Sequence, residues 1–367
     1  MKSALVHDWL TGVGGGERVL ESIYDLYPSK IHALIKNPDK LKGTFFEDKE
    51  IETSFIQNLP FAKKHYRNYL PFFPLAIEQF DLSSYDLILS TSHAVAKGVL
   101  TSPSQLHICY CFTPMRYAWD LYQFHIRHLN GLKRPIASYI LHEMRKWDSL
   151  SASRVDEFVT ISHYVAKRIK KIYGRDAPVI YPPVNTKAFF ISEKKEEYYI
   201  TYSRLVPYKK IDLIVAAFAM MPEKRLIVIG DGPEMSRIKS VASQNVELLG
   251  YQPDSLVRSL VACAKAFIFA AEEDFGIVMV EALASGIPVI AFNKGASREI
   301  VEDGFSGMFF QEHTIDSLCK AVCAFEKCQD QFDPYKIKKS AERFNLDRFK
   351  EEFHSFVDER LVAFTRG

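Results

Sequence analysis

Two glutamates in the second half of the chain, separated by seven residues, stand in a setting that suits hydroxyl-rich ligands. Glu273 lies in an acidic loop, and Glu281 lies within the apolar stretch 277–283. A carboxylate among apolar residues needs hydrogen-bond donors, and the vicinal hydroxyls of a ribose or a hexose supply two. The glutamates are therefore candidate ligands for sugar hydroxyls. The alternative is that Glu281 is a solvated helix residue and that the loop acids are ordinary surface charge.

The residues between these glutamates predict a helix start that fits a diphosphate. Gly276 follows Phe275 and precedes an apolar run that is typical of a buried helix. Glycine lets the backbone approach a ligand closely. The first amides of a helix, here those of Ile277 and Val278, have no partner within the helix and attract anions. The sequence therefore predicts a phosphate cradle that lacks the lysine of a Walker loop.

The second half alternates short β-branched runs with amphipathic stretches, which is typical of a parallel sheet with crossover helices. The acidic loop follows one predicted strand and therefore lies at the carboxyl edge of the sheet, where ligands bind in open α/β folds. The predicted strands are 199–202, 225–229, 246–249, 266–269 and 288–291, and the predicted helices are 211–220, 233–242 and 256–264.

The first half repeats this α/β pattern less regularly. A chain of 367 residues exceeds the usual size of a single core, so we expect two doubly wound domains. Tyr181-Pro182-Pro183 blocks a helix and interrupts strand pairing, which indicates a hinge. The strands predicted in the first half are 4–6, 31–35, 87–89, 108–111 and 158–161.

Residues 271–290 resemble the signature of family 4 glycosyltransferases. They have the two spaced glutamates, Phe-Gly after the first, and Glu-Ala-x-Ala-x-Gly-x-Pro-Val after the second, and the similarity extends over 203–210, 229–233 and 295–301. The resemblance implies the GT-B fold, with two Rossmann-like parallel-sheet domains that face a cleft. The implied parts are an acceptor domain at 1–182, a donor domain at 183–345, and a C-terminal helix at 346–367 that returns to the acceptor domain.

The same resemblance assigns roles in catalysis and donor binding. Arg204 and Lys209 would neutralise the donor diphosphate, Glu281 would bind the ribose, and Glu273 would contact the transferred sugar. Two cations beside a leaving diphosphate do the work of a metal ion, and no Asp-x-Asp motif stands in these loops. We therefore expect no metal and no other cofactor. Further implied donor-binding residues are Gly230, Tyr251, Phe275, Gly276, Ile277 and Val278.

A glycine-rich turn, residues 12–16, follows the first predicted strand. The turn does not match the dinucleotide fingerprint, because Glu17 stands where the third glycine belongs. We therefore expect no nicotinamide cofactor. In a GT-B enzyme this turn lies across the cleft from the donor, and Gly14 and Gly15 would let a diphosphate or an acceptor come close. A flexible turn without a ligand is the alternative.

Residues 86–99 and 109–120 resemble a subgroup of enzymes that build bacterial surface polysaccharides, often as mannosyltransferases. Several of these relatives have His-Thr-Pro where this chain has Phe112-Thr113-Pro114, so no histidine contact is carried over to Phe112. His93 would position an acceptor hydroxyl, as a further catalytic candidate, or serve only as a hydrogen-bonded structural residue. In the retaining mechanism attributed to the family, the leaving phosphate takes the acceptor proton, so no protein base is required.

The resemblance implies a retaining hexosyltransferase. The expected donor is GDP-mannose, and the expected acceptor is a polysaccharide or a lipid-linked glycan. Because the GT-B fold also serves other reactions, a nucleotide-sugar epimerase or hydrolase is one alternative, and a non-catalytic nucleotide-sugar-binding protein is another.

Charge and hydropathy limit the other partners. The balance of 47 Lys and Arg against 45 Asp and Glu argues against nucleic-acid binding over the whole surface. No secretory signal and no membrane-spanning apolar run stands in the sequence, so we expect a cytoplasmic location. A basic and aromatic group suits peripheral contact with the anionic inner face of the membrane, although a solvated charged face is the alternative. This group comprises Lys63, Lys64, His65, Tyr66, Arg67, Tyr69, Phe72, Phe73, Arg127, His128, Lys133 and Arg134.

Overall fold

The computed structural model describes residues 1–127 and 129–366. It divides into unit 1, Met1–Pro183 with Phe349–Gly367, and unit 2, Val184–Arg348. The sequence-based boundaries fall after residues 182 and 345. His128 of the basic and aromatic group and Gly367 of the predicted C-terminal helix lie outside the described residues.

Unit 1 contains a parallel sheet with the strand order β3-β2-β1-β4-β5-β6. Its central strands β4 and β5 are buried at every position, as expected when helices cover both faces of a parallel sheet. The elements are β1 Ser3–His7, α1 Gly15–Leu26, β2 Ile31–Ala33, α2 Pro38–Leu41, β3 Ile51–Thr53, α3 Ala62–His65, α4 Phe73–Glu78, β4 Leu87–Ser92, β5 Leu106–Cys111, α5 Tyr122–Arg127, α6 Lys133–Ser151, β6 Glu157–Thr160 and α7 His163–Tyr173.

Unit 2 contains a second parallel sheet, with the strand order β12-β11-β10-β7-β8-β9. The last helix, α15, begins in this unit and continues into unit 1. The elements are β7 Tyr198–Tyr202, α8 Ile211–Ala219, β8 Arg225–Ile229, α9 Met235–Val241, β9 Val246–Gly250, α10 Asp254–Cys263, β10 Phe267–Phe269, α11 Ile277–Ala284, β11 Val289–Phe292, α12 Ser297–Ile300, β12 Gly307–Phe310, α13 Ile315–Cys328, α14 Pro334–Ala341 and α15 Leu346–Arg366.

The predicted strands and crossover helices all appear in the structure, with their ends shifted by a few residues. The sequence did not predict β3 and β12, which are the edge strands at one side of each sheet. Both are short, and β12 contains glycine and methionine instead of a β-branched run. Their strand conformation depends on pairing with β2 and β11, so tertiary structure outweighs local propensity there.

The returning part of α15 packs on unit 1 through aromatic side chains. Phe349 and Phe353 stack on each other and contact the ring of Tyr110 on β5. Lys350 forms a 2.8 Å ion pair with Asp25 on α1. Within residues 1–127 and 129–366, no helix combines the length and apolar character needed to span a membrane.

Candidate active site

The order of the strands reverses once in each sheet. In unit 2 the chain runs from β7 to β8 and β9 and then returns to β10 on the other side of β7. In unit 1 it runs from β1 to β2 and β3 and then returns to β4 on the other side of β1. At each reversal two neighbouring strands, β7 and β10 or β1 and β4, are followed by loops that diverge from each other. We call this place the switch point of the sheet. The crevice between the two loops is the usual ligand site of an open α/β sheet. Most of the predicted site residues follow β7 and β10 in unit 2, or β1 and β4 in unit 1.

Lys209 and Glu273 form an ion pair at the switch point of unit 2. Lys209 ends the short 3₁₀ helix Pro207–Lys209 after β7, and Glu273 lies in the loop after β10. The carbonyl group of Glu273 accepts a 3.0 Å hydrogen bond from the amide of Ala296, which anchors the loop. The two side chains are only 16% and 13% exposed, so each charge needs the other as a partner.

Gly276 sets the start of α11 next to this ion pair. Its φ of 99° is rarely adopted by any other residue. A Cβ atom here would lie 2.6 Å from Cε of Met279 and 3.7 Å from Oε2 of Glu273. The helix begins at Ile277, where the sequence predicts it. The first amides of a helix lack intrahelical acceptors, so this turn offers N–H donors to an anion near Glu273.

Glu281 lies one turn beyond the start of α11 and is half-buried. Tyr202, the last residue of β7, donates a 2.7 Å hydrogen bond to Oε2 of Glu281. Glu281 is therefore not a solvated helix residue. Its carboxylate is held between the helix and the sheet at the switch point.

The remaining donor-site candidates of unit 2 differ in what they can contact. Gly230 has a φ of 132°, and a Cβ atom there would collide with the carbonyl oxygen of Ser203, so only glycine lets the loops after β7 and β8 touch. Arg204 is exposed beside this contact, and Tyr251 is 79% exposed.

The ring of Phe275 is buried, with its centroid 5.6 Å from that of Phe344. That ring therefore supports the acidic loop from within the core.

In unit 1 a buried carboxylate organises the switch point. Asp8, directly after β1, is fully buried and accepts a 2.9 Å hydrogen bond from Nδ1 of His93. It also accepts backbone hydrogen bonds of 2.6 to 3.0 Å from His93, Ala94, Val95 and Ala96. The side chain of His93 is 34% exposed. Its ring contacts that of Trp9 edge-on, with 4.5 Å between the ring centroids. His93 is thus fixed through one ring nitrogen and reaches the surface.

Asp8 and His93 shift each other's pKa in opposite directions. Burial favours the neutral form of Asp8, but the charge and hydrogen bond of His93 outweigh it and hold the pKa of the carboxyl group well below its usual range. Burial also disfavours protonated His93, yet Asp8 reverses this effect and raises the pKa of the imidazole. The ring therefore carries a proton over a wider pH range than a free histidine and presents an N–H donor.

The glycine-rich turn leads into α1 and is fixed by Glu17. The amide of Gly14 donates a 2.9 Å hydrogen bond to Oε2 of Glu17, whose other oxygen lies 3.9 Å from Nε2 of His7. Gly14 is exposed and Gly15 is half-buried. The ring of Phe112 lies 3.4 Å from the position of a Cβ atom on Gly16. Phe112 therefore packs against this turn.

Sequence reasoning missed Asp8 and Tyr202, which hold two of the predicted site residues. Each stands at the carboxyl end of an inner strand, Asp8 after β1 and Tyr202 at the end of β7. That position could have identified both residues, since polar side chains there face the ligand edge of the sheet. The bonds to His93 and Glu281 join residues 85 and 79 positions apart, so only the fold reveals them.

Known proteins resemble this chain in sequence. Residues 185–344 match the family model of glycosyl transferases group 1. An uncharacterized glycosyltransferase of Methanocaldococcus jannaschii is 24% identical over 288 residues, which are 76% of each chain. A GDP-mannose-dependent monoacylated alpha-(1-6)-phosphatidylinositol monomannoside mannosyltransferase of Corynebacterium glutamicum is 30% identical over 232 residues, which are 52% of this chain and 60% of that relative.

The fold is also known from solved structures. HepE of Anabaena, crystallised in complex with UDP, matches with a TM-score of 0.71 at 16% identity, over 98% of this chain and 100% of that one. The predicted glycosyltransferase family and GT-B fold are confirmed, whereas the finer assignment to family 4 stays a prediction. Residues 185–344 are similar to the group 1 glycosyl transferases, and the chain has the GT-B fold.

Proposed function

We propose that this chain transfers a hexose from a nucleotide sugar to a polysaccharide or lipid-linked glycan, with retention at the anomeric carbon. The observation that carries the proposal is the grouping in unit 2 of the Lys209–Glu273 pair, the glycine-led start of α11, and Glu281. Together they supply a cation, anion-binding amides and carboxylates, which match a diphosphate flanked by two sugars.

In this proposal unit 2 stabilises the leaving group without a metal ion. Lys209 and Arg204 face the diphosphate, and the amides of Ile277 and Val278 add hydrogen bonds as negative charge develops on it. Glu273 accepts hydrogen bonds from hydroxyls of the transferred hexose, and Glu281 accepts them from the ribose. The bond from the anomeric carbon to the phosphate oxygen breaks, and the acceptor oxygen bonds to the same face. The acceptor proton passes to the released phosphate.

His93 is the proposed acceptor contact in unit 1. Its Nδ1 is engaged by Asp8, so the other ring nitrogen is the one that would meet an acceptor hydroxyl or an acidic group of the acceptor. Because the leaving phosphate takes the proton, His93 positions the acceptor and does not act as an obligatory base. Gly14 and Gly15 are kept as close-approach residues beside it.

GDP-mannose is the proposed donor. The support is the similarity to the Corynebacterium relative, a GDP-mannose-dependent mannosyltransferase, together with the resemblance of residues 86–99 and 109–120 to mannosyltransferases. The HepE structure contains UDP, so a uracil nucleotide is the main competitor.

A nucleotide-sugar panel tests the proposal directly. Purified chain is incubated with GDP-mannose, UDP-glucose, UDP-galactose and UDP-N-acetylglucosamine, with and without a glycan acceptor, and nucleotide release and products are measured. We expect release from GDP-mannose that depends on the acceptor. Lys209→Ala and Glu281→Gln should each impair this release far more than they lower stability. Release or isomerisation without an acceptor would indicate a hydrolase or an epimerase instead. Binding without any product would indicate a binding protein.

Peripheral membrane contact is a further part of the proposal. Phe61 and Leu132 are each 80% exposed, which is high for large apolar side chains. They neighbour in sequence the exposed cations Lys63, Lys64 and Lys133. Basic and apolar side chains exposed together suit an anionic lipid surface. The contact would place the enzyme in the cytoplasm at the inner face of the membrane.

Sedimentation with vesicles measures this contact. We expect the chain to pellet with phosphatidylglycerol-containing vesicles at low salt, and the double variant Lys63→Glu, Lys64→Glu to stay in the supernatant. The control Lys167→Glu, Lys171→Glu makes the same charge change on exposed positions of α7 and should still pellet. Absence of wild-type binding at low salt would refute the membrane contact without affecting the transfer reaction.

A further inference from the structure

Tyr202 is absent from the residues that the sequence predicts at the donor site, yet its hydroxyl contacts one of them. It donates a 2.7 Å hydrogen bond to Oε2 of Glu281 and lies 3.4 Å from the carbonyl oxygen of Val278. Both acceptors belong to α11. The hydroxyl therefore ties the end of β7 to the helix that begins after Gly276.

The sheet fixes the position of this hydroxyl. The backbone of Tyr202 pairs with Ile229 on β8. Its ring contacts the ring of Phe267 on β10, at a centroid distance of 5.2 Å and an interplanar angle of 63°. Because neighbouring strands hold the backbone and the ring, the hydroxyl presents a donor in a preset place. Glu281, by contrast, has a long side chain whose rotamers are restricted only by its contacts.

We propose that Tyr202 is a positioning residue for ribose recognition, which holds the Glu281 carboxylate in the orientation that accepts hydrogen bonds from the hydroxyls of a ribonucleoside diphosphate. The inference rests on the proposed function, in which Glu281 binds the donor ribose. An ionised carboxylate has about four lone-pair sites. The phenol occupies one of them on Oε2, and the proposal assigns others to the ribose diol.

The proposed positioning role of Tyr202 differs in its measurable effect from a role that only stabilises the fold. A structural residue affects the binding of ribo- and deoxyribonucleotides equally, since both need the same folded site. A residue that orients Glu281 affects the binding of the ribonucleotide more, because both hydroxyls of the ribose reach the carboxylate and only one remains in the 2′-deoxynucleotide. The preference for ribose over deoxyribose is therefore the quantity to measure.

Tyr199 provides a matched control on the same strand. Its hydroxyl donates a 2.9 Å hydrogen bond to Oε1 of Glu326 on α13. Tyr199→Phe therefore removes a tyrosine–glutamate hydrogen bond from β7, as Tyr202→Phe does, but leaves the bond to α11 intact. Any general effect of losing a phenol from this strand appears in both variants.

Isothermal titration calorimetry on the full chain measures the Kd of GDP, 2′-deoxy-GDP, UDP and 2′-deoxy-UDP for the wild type and the variants Tyr202→Phe, Tyr199→Phe and Glu281→Gln. For the base that binds, we expect the wild type to prefer the ribonucleotide by about tenfold, as for a hydrogen bond to a charged group. Tyr202→Phe should reduce the preference to about threefold or less, because it weakens the binding of the ribonucleotide more than that of the 2′-deoxynucleotide. Tyr199→Phe should keep the wild-type preference.

The outcomes distinguish this inference from the proposed function. If Tyr202→Phe keeps the full preference for the ribonucleotide and Glu281→Gln loses it, the inference is overturned and Glu281 remains the ribose ligand. If Tyr202→Phe weakens the binding of the ribonucleotide and of the deoxyribonucleotide equally, the inference is overturned as well, because that result means that Tyr202 has only a structural role. Unchanged preference in Glu281→Gln, or no nucleotide binding by the wild type, refutes the proposed donor site itself. Tyr202→His is a second variant with a shorter donor, and we expect it to give an intermediate preference.

Discussion

At the scale of single residues, Lys209 and Glu273 carry opposite charges, and in our proposal each charge contacts a different part of the donor. The ammonium faces the diphosphate in our proposal, whereas the carboxylate faces the hexose. Their ion pair at low exposure means that Glu273 competes with the diphosphate for Lys209. The same carboxylate also repels the diphosphate, so it favours a nucleotide that carries a sugar over one that does not.

This competition gives a prediction for Glu273→Gln. We expect the Kd of the nucleoside diphosphate to fall several-fold, because Lys209 loses its competing partner, and we expect turnover of the nucleotide sugar to fall by about 10²-fold or more, as when one preorganised polar contact is lost. Calorimetry and a nucleotide-release assay measure the two quantities. Glu272→Gln removes a negative charge from the same loop and is the control. Weaker binding of the diphosphate by Glu273→Gln would contradict the competition.

The Asp8–His93 pair predicts a pH-dependent contribution to stability. The pKa of His93 is raised, so the folded chain binds its proton more tightly than the unfolded chain, in which histidine titrates near ~6.5. This stabilisation is complete below that value and is lost as the pH rises through the raised pKa. His93→Gln should therefore lower the free energy of unfolding more at about pH 6 than at about pH 9.

Urea unfolding followed by tryptophan fluorescence measures this effect, because the three tryptophans, Trp9, Trp119 and Trp147, all lie in unit 1. Asn68→Ala, at an exposed position of the same unit, is the control and should stay within about 0.5 kcal/mol of the wild type at both pH values. An equal loss at both pH values in His93→Gln would show that the imidazole contributes only as a neutral packing group.

At the scale of elements, the start of α11 depends on glycine for two separate reasons. Gly276 combines a positive φ with a Cβ position that is 2.6 Å from Met279. Gly304, in the turn before β12, has a φ of 73° but no heavy atom within 4 Å of its Cβ position. The two glycines therefore separate the cost of the backbone conformation from the cost of crowding.

We expect Gly304→Ala to lower the free energy of unfolding by about 1–2 kcal/mol, the cost of a left-handed residue. Gly276→Ala should cost at least about 1 kcal/mol more, as overpacking does, and should weaken nucleotide binding, because the first amides of α11 must shift. Urea unfolding followed by circular dichroism and calorimetric Kd values measure both effects. Equal losses of stability in the two variants, with unchanged affinity, would refute the role of Gly276 in shaping the anion site.

At the scale of the whole molecule, the chain divides into two units that carry different proposed tasks. The donor residues lie in unit 2, whereas His93 and the glycine-rich turn lie in unit 1. The returning part of α15 belongs to unit 1, where Phe353 is buried against Tyr110 and Phe349. A core change in this helix should therefore affect one unit and spare the other.

Phe353→Ala tests this division. We expect it to lower the unfolding free energy of unit 1 by about 3–5 kcal/mol, as for other buried phenylalanines, while the Kd of the nucleotide for unit 2 stays unchanged. Tryptophan fluorescence reports unit 1, and calorimetry reports the nucleotide site. Val362→Ala, at an exposed position of α15, should change stability by no more than about 0.5 kcal/mol. A parallel loss of nucleotide affinity in Phe353→Ala would contradict independent units.

The sequence by itself determined the fold class and the inner strands, because continuous β-branched runs and amphipathic helices are local patterns. It also predicted the helix start at Gly276, since a glycine before an apolar run is a local signal. Short edge strands such as Gly307–Phe310 carry no such signal, and they form only when a neighbouring strand offers hydrogen bonds. The sequence therefore predicts the inner strands and the edge strands β6 and β9, but not the edge strands β3 and β12.

Tertiary structure alone decided which predicted residues touch one another. The reversal of strand order brings the loop after β10 beside the end of β7, so that Lys209 meets Glu273 and Tyr202 meets Glu281. In unit 1 the same kind of reversal brings His93 within hydrogen-bond distance of Asp8. The identities of these residues are local facts, but their pairing depends on the crossover connections between strands. Spacing along the chain therefore identified the charged groups, and the topology of the sheets paired them.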